Sequence, residues 1–226
     1  MDKVYTKIIF DKAGLKQAKY EYIRKYDDKY IYVNKNFDEE VLTLEEVAKK
    51  VETKIKYPMF IKPSNSGSSV GVNKARNKEE LKQYIKHASE FDNKILIEEG
   101  IVGREVECAV LGKEEVIASV VGEVKSAEEF YSYEAKYENE QSKTQIPADI
   151  AKELSDEIRK QAIKAFKAIS GKGLSRVDFF IEEKTKQIYI NEINTLPGFT
   201  KISMYPKLFE ATGINYSELL DKLITI

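Results

Sequence analysis

Cysteine and histidine each occur once in this chain, as Cys108 and His87, and their scarcity closes off several kinds of chemistry. One cysteine forms no internal disulfide; within Glu105-Val106-Glu107-Cys108-Ala109-Val110-Leu111 it reads as a small buried filler. One histidine, beside Lys86, Ala88 and Ser89 on a surface helix, excludes multi-histidine metal sites and histidine-based nucleophilic triads. An excess of either charge is also lacking. Lys plus Arg (37) nearly cancels Asp plus Glu (38), so no broad basic field recruits nucleic acid. No window of eighteen apolar residues exists, which excludes a membrane-spanning helix. The opening Met1-Asp2-Lys3-Val4-Tyr5 has no apolar core of the signal-peptide kind. Repeats and low-complexity tracts are absent. The expectation is a soluble cytoplasmic protein of 226 residues, long enough for one large domain or two small ones.

What is present alternates between helical and strand patterns. Asp2 caps a short helix, 4–11, with Val4, Ile8 and Ile9 on one side and Gly14 ending it. Tyr30-Ile31-Tyr32-Val33 is strand-like. Thr43-Leu44-Glu45-Glu46 is a capping box opening a helix to about Thr53. Residues 57–63 read as a strand and 64–71 as a loop. Asn77 with Glu80 repeats the capping-box pattern before a helix to about Glu90, and 94–98 is a buried strand. Gly100 to Gly103 reads as a hinge. Beyond it lie two strands, 104–111 and 115–124, then a long polar, Tyr-rich stretch, 126–148. A stretch of that length without secondary structure of its own suggests a functional lid or disorder. A helix from Ile150 to about Ser170 and two C-terminal helices, 204–211 and 216–223, complete the pattern.

The most telling segment is Phe179-Phe180-Ile181 followed by Ile188-Tyr189-Ile190-Asn191-Glu192-Ile193-Asn194, which reads as a hairpin carrying acids where strands normally carry apolar side chains. With Glu183 to Gln187 as the turn and Glu182 opposite Ile188, Asp178 falls across from Glu192. Arg176, Asp178, Glu192 and Asn194 then share a face. Two anions this close repel by roughly 1 kcal/mol in water and by several in a drier site, unless a cation lies between them. Oxygen ligands without His or Cys suit a hard ion such as magnesium, which keeps waters and bridges to phosphates. The plain alternative is a solvated hairpin face.

Three other segments carry weaker signals. Lys62 precedes the small-residue loop Pro63-Ser64-Asn65-Ser66-Gly67-Ser68-Ser69-Val70-Gly71, whose N–H groups and hydroxyls suit phosphate oxygens. It is not a Walker loop, because the lysine precedes the glycines, and an ordinary tight turn is the alternative. Leu96-Ile97-Glu98-Glu99-Gly100-Ile101 offers an apolar slot edged by carboxylates, which suits a purine and a ribose but equally a solvated edge. Tyr133-Glu134-Ala135-Lys136-Tyr137 sits in the long stretch, where a closing lid would place a lysine against phosphate charge, and plain surface exposure in a Tyr-rich chain is the alternative.

Taken in order and spacing, 62–71, 98–105, 133–137, 176–178 and Asn191-Glu192-Ile193-Asn194-Thr195-Leu196-Pro197-Gly198 resemble the D-alanine–D-alanine ligases of the ATP-grasp superfamily over nearly the whole chain. The resemblance implies an α+β fold of two subdomains with antiparallel sheets, a central one at 3–102 and a C-terminal one at 103–226, enclosing ATP. It implies that Lys3 and Lys62 contact ATP, with Ser69 and Lys136. Glu98, Glu99 and Ile101 form the adenine edge, and Glu105 binds ribose. Asp178, Glu192 and Asn194 hold two magnesium (or manganese) ions. Arg176 and the N–H of Gly198 stabilise the oxyanion. Ser203 and Met204 receive the second substrate's carboxylate, and Lys136 and Tyr137 close over the site facing Ser68 and Ser69. The implied reaction joins two D-alanines through an acyl phosphate, for peptidoglycan precursor synthesis.

The family also has an α/β domain upstream of the Met-Asp-Lys at which this chain starts, and that domain supplies groups orienting the first D-alanine. Positioning contributes roughly 7–11 kcal/mol to such reactions. The expectation is therefore that the chain alone binds Mg-ATP weakly and ligates poorly or not at all. The family is commonly dimeric, and a homodimer stays open here. So do a D-serine or D-lactate variant ligase, another ATP-grasp enzyme, and a nucleotide-binding module without turnover.

Overall fold

The computed structural model describes residues 2–125, 143–200 and 202–226. Packing divides the chain into two units, Met1–Tyr5 with Ala18–Ile101, and Thr6–Gln17 with Val102–Ile226. The sequence boundary at 102/103 put residues 6–17 in the first half. Their contacts lie in the second unit: Ile190 N–H donates to Lys16 O (2.8 Å), and Phe10 and Leu15 lie in that unit's core.

The first unit is a six-stranded antiparallel sheet in the order β3-β2-β1-β6-β4-β5. Its strands are β1 (Tyr20–Tyr26), β2 (Lys29–Val33), β3 (Glu39–Leu42), β4 (Met59–Pro63), β5 (Asn73–Ala75) and β6 (Lys94–Glu99). Helices α2 (Leu44–Glu52) and α3 (Lys78–Ala88) pack on one face, where Val47, Val51, Leu81 and Ile85 meet Ile23, Met59, Ile61, Ile95 and Ile97. Each such aliphatic side chain contributes roughly 1.5–3 kcal/mol by leaving water. β4 alternates: Met59 and Ile61 point into this core, so Phe60 and Lys62 lie on the opposite face.

Local signals start the helices. Thr43 Oγ1 accepts from Glu46 N–H while Glu46 returns a bond to Thr43 N–H, a complete capping box. At α3 the box is half made. Asn77 Oδ1 accepts from Glu80 N–H (2.9 Å), but Glu80 turns its carboxylate to Arg76 N–H (2.8 Å). Helix α1 (Lys3–Lys12) is capped by Asp2, whose Oδ1 accepts from Tyr5 N–H. Its buried positions are Val4, Thr6, Lys7 and Phe10, whereas Ile9, expected on the inner side, is exposed.

The second unit is a five-stranded antiparallel sheet, β11-β10-β7-β8-β9. Its strands are β7 (Gly103–Gly112), β8 (Val116–Lys125), β9 (Lys143–Gln145), β10 (Gly173–Glu182) and β11 (Ile188–Asn194). On one face α4 (Lys152–Ala168) buries Ile158, Ala162 and Phe166 against Val106, Val110, Val177 and Phe179. On the other, α5 (Met204–Ala211) and α6 (Tyr216–Thr225) cover Ala109, Leu111 and Val124. That second face also carries the polar row described below.

β1, β3, β5 and β9 have no counterpart in the sequence reading. Charges disguise β1, Tyr-Glu-Tyr-Ile-Arg-Lys-Tyr. Its Glu21 is buried only because Tyr32 donates its hydroxyl hydrogen to it and Lys54 stands 3.3 Å away. β3 is an edge strand with one buried residue, and β5 and β9 have three residues each.

Candidate active site

Within the second unit, three neighbouring strands place one acid each in a line: Glu107 of β7 opposes Asp178 of β10, and Asp178 opposes Glu192 of β11. Asp178 and Glu107 are almost fully buried. Arg176, two residues before Asp178 on the same face, makes the row tolerable. Its Nε and Nη2 donate to the two oxygens of Asp178 at 2.7 Å each, and Nε lies 3.2 Å from Glu107. Burial alone pushes the guanidinium down. The charges of Asp178 and Glu107 outweigh it and hold Arg176 well above the usual arginine range.

Asn194 completes the group, its Nδ2 donating to Asp178 Oδ2 (2.9 Å) and reaching Glu192 Oε1 (3.4 Å). The four residues expected to share a face therefore do so. The pairing expected at the turn is displaced by one: Ile181, not Glu182, pairs with Ile188, and a bulge between Phe179 and Asp178 restores the expected register at the site. Strict alternation would have turned Glu192 and Asn194 the same way as Ile188 and Ile190. The extra residue, Asn191, inverts the phase, so Ile188, Ile190 and Ile193 all reach the core while Glu192 points to the acids.

No cluster of three or more His, Cys, Asp or Glu among the described residues is arranged to hold a metal ion. Two carboxylates and an amide, Asp178, Glu192 and Asn194, lie outside that pattern. As a donor set they offer only oxygen once the Asn194 amide is turned, and they fit a hard cation that takes its remaining ligands from water or phosphate. Glu107 is the member the sequence reading passed over. Its signal was the period-two repeat Glu105-Val106-Glu107, which puts both acids on one face. Glu105 opposes Phe180, one step along the same face, roughly 7 Å away by strand rise.

The loop after β11 brings Gly198 to Ser203. A Cβ on Gly198 would stand 3.0 Å from Ser203 Oγ, and that oxygen accepts from Thr200 N–H (3.0 Å). Phe199 anchors the loop between Tyr205 and Tyr216, with ring centroids 5.6 and 5.5 Å away. Met204, expected at a substrate carboxylate, has its side chain in the core with Leu208 and Leu111, which leaves only its main chain at the start of α5 for that task. Lys136 and Tyr137 lie outside the described residues. A cleft of about 870 Å³ in this unit, lined by Val102, Leu154 and Ile181 among others, shares no residue with the acidic row.

In the first unit Lys62 is paired at 2.6 Å with Glu98, its diagonal neighbour across β4 and β6. Glu98, expected at an adenine edge, thus spends its charge on the lysine. Lys62 and Lys74 approach the Phe60 ring at 5.9 and 6.0 Å, so Lys74 is a second cation on this face that sequence reasoning missed. Lys3 donates to Pro63 O (3.3 Å) and to Ser66 O, which makes it a brace for the 64–71 loop. Ser68 and Ser69 take left-handed φ of 51° and 60°. At the end of β6, Glu99 N–H is bonded to Lys19 O and Gly100 N–H to Pro58 O, and half-buried Ile101 closes the unit.

Comparison with known proteins matches these features to one group. A family model described as D-ala D-ala ligase C-terminus matches residues 9–225. A D-alanine–D-alanine ligase of Acetivibrio thermocellus is 54% identical over 226 residues, covering 100% of this chain and 57% of that protein. One from Ruminiclostridium cellulolyticum is 52% identical, with 100% and 57% covered. The crystal structure of the VanG D-Ala:D-Ser ligase of Enterococcus faecalis superposes with a TM-score of 0.84 at 36% identity, over 100% of this chain and 61% of that one. The chain thus spans a little over half the length of these relatives, 57% for both curated ligases. With two antiparallel α+β units and the matched acidic hairpin, it belongs to the D-alanine–D-alanine ligase C-terminal family and has the ATP-grasp fold.

Proposed function

We propose that this chain carries the nucleotide- and metal-handling part of an ATP-dependent ligase that joins two D-alanines for peptidoglycan precursor synthesis in the cytoplasm. The observation that carries the reading is the Glu107–Asp178–Glu192 row, its first two members buried, held together by Arg176 and Asn194. A row of acids beside a charged hydrogen-bonding network is an expensive arrangement, and a divalent ion bound to nucleotide phosphate gives it a use.

Asp178, Glu192 and Asn194 hold magnesium (or manganese), which supplies charge neutralisation and alignment for the transferred phosphoryl group. Lys62, freed from Glu98 by a competing anion, and Lys74 meet phosphate oxygens. The 64–71 loop, with Ser68 and Ser69 and its brace Lys3, wraps them with N–H groups and hydroxyls. Glu99 and Ile101 border the base and Glu105 the ribose. The first D-alanine carboxylate oxygen attacks the γ-phosphorus, the bond to the β-phosphate oxygen breaks, and ADP leaves. The deprotonated amine of the second D-alanine then attacks the acyl carbon, and phosphate leaves. Arg176 and Gly198 N–H stabilise the oxyanion, and Ser203 with the main chain of Met204 holds the acceptor carboxylate.

Calorimetry with a non-hydrolysable ATP analogue, with and without magnesium, tests the first half of this reading. Binding that requires the metal and is lost in Asp178→Asn supports it; no binding under either condition overturns it. Phosphate release and product chromatography with D-alanine, D-serine and D-lactate as acceptors then measure ligation. A slow rate with D-alanine preferred is expected, since the chain spans only part of its relatives' length. The 36% identity to a D-Ala:D-Ser ligase makes D-serine the acceptor to compare first.

A further inference from the structure

Asn73, the first residue of β5, spends both amide hydrogens within the first unit. Its Nδ2 donates to Gly71 O at 3.2 Å and approaches Nδ1 of His87, on α3, at 2.8 Å. A carbonyl oxygen only accepts, so the nitrogen of the Asn73 amide, not its oxygen, faces Gly71. The other Nδ2 hydrogen then points at His87, whose Nδ1 must be the acceptor. That sets a neutral ring with its hydrogen on Nε2.

The imidazole has a second connection to the same place. It meets the Phe91 ring edge-on, with centroids 5.2 Å apart at 79°. Phe91 and Pro63 enclose Gly71 so closely that a Cβ there would lie 2.7 Å from each. Gly71 is itself left-handed at φ 72°, and it closes a loop in which Ser68 and Ser69 have the same sign of φ. Side chains with a Cβ resist that conformation, so Ser68 and Ser69 persist in it only when the loop's end is firmly placed.

We propose that His87 is a positioning residue for the 64–71 loop. Through Asn73 and Phe91 it fixes Gly71 and with it the loop's anion-facing N–H groups. This rests on the reading above that the loop holds nucleotide phosphate. His87 itself touches no substrate; it sets how sharply the loop is formed before nucleotide arrives.

His87 is the chain's one histidine, so its imidazole nitrogen resonances need no assignment. At neutral pH they should report hydrogen on Nε2; hydrogen on Nδ1 overturns the geometry. Two variants separate positioning from folding. His87→Phe keeps a ring against Phe91 and removes the acceptor, whereas His87→Asn puts an amide oxygen close to where Nδ1 was. Loop order is read by hydrogen exchange at Val70 and Val72, whose N–H groups bond Gly67 O and Ser69 O. His87→Phe should exchange faster there and bind the Mg-ATP analogue about fivefold more weakly, the scale of one neutral hydrogen bond. His87→Asn should stay within about twofold of wild type in both, even where the two variants lose similar melting temperature. Equal losses in both variants, tracking stability alone, overturn the proposal. If wild type binds no nucleotide, the proposed function falls, while the exchange and tautomer results still decide the role of His87.

Discussion

Asp178 stands directly across from Glu192 in the β10–β11 ladder, although the ladder between them and the turn runs one residue out of that register. Asn191 absorbs the difference. Two acids are thereby opposed at the distance of a cross-strand pair, an arrangement that destabilises a sheet unless positive charge is supplied. Arg176 supplies it in this structure, and a divalent ion shares the task in the proposed reaction.

Removing the guanidinium should therefore cost more than an ordinary surface ion pair. Arg176→Met leaves Asp178 and Glu107 buried with their main cation gone, and a loss of about 3–5 kcal/mol is expected in urea unfolding. Magnesium should recover part of it in the variant while adding less to wild type. A variant as stable as wild type, with or without the ion, would contradict the role given to Arg176.

Glu123 gives a pH dependence with a definite sign. Arg104 donates to both its oxygens, at 2.6 and 2.8 Å, and this pair holds the Glu123 carboxyl below its usual 4.5. Above pH 4.5 the carboxylate is charged in folded and unfolded chains alike, and the pair contributes fully. As pH falls from there the unfolded chain takes up the proton first, so the contribution declines, and it is gone once pH passes below the lowered folded value. Glu123→Gln should thus cost about 1 kcal/mol at neutral pH, allowing for solvent around half-exposed Arg104. The gap to wild type should narrow toward zero on the acid side. Parallel stability curves across the acid range would be the contrary result.

Cys108 lies in the core between Val106 and Val110, and burial pushes its thiol up to about 12 against a weaker opposing pull from Ser119. The folded chain should be unreactive toward an aromatic disulfide reagent at pH 8. In denaturant it should react with one equivalent per chain. Rapid reaction of native protein would mean that this sheet face opens more readily than its packing indicates.

Phe199 links the Gly198–Ser203 turn to Tyr205 and Tyr216, and each ring pair is worth about 0.5–1.5 kcal/mol beyond burial. Phe199→Ala should lower the melting temperature and raise the KM for the acceptor amino acid more than the KM for ATP. Phe199→Leu should recover most of the stability and less of the acceptor KM. An unchanged ratio of the two KM values in both variants would detach this turn from the acceptor.

Much of the fold was legible because local chemistry and tertiary packing agree. Thr43 with Glu46 announced α2, the aliphatic run 94–98 announced β6, and alternation marked β7 and β10. Short or charged strands escaped because their stability comes from neighbours: Glu21 sits in β1 by virtue of Tyr32 and Lys54, which lie far along the chain. Ile9 was misplaced for a related reason. The side of α1 that is buried follows where Lys7 and Phe10 pack, not which residues are greasiest.

By itself the chain's order of residues determined the hairpin, the acids on it and the small-residue loop, since each depends on side chains within a few positions of one another, and the order and spacing of such motifs pointed to the family. Tertiary structure decided which groups share charge. Glu107 joined Asp178 only through pairing of strands some seventy residues apart, Glu98 turned to Lys62, Lys3 reached the loop carbonyls, and the bulge at Asn191 chose the direction of Glu192. The physical reason is that Coulomb attraction and hydrogen bonding act through space at a few ångströms, a separation that position along the chain does not specify.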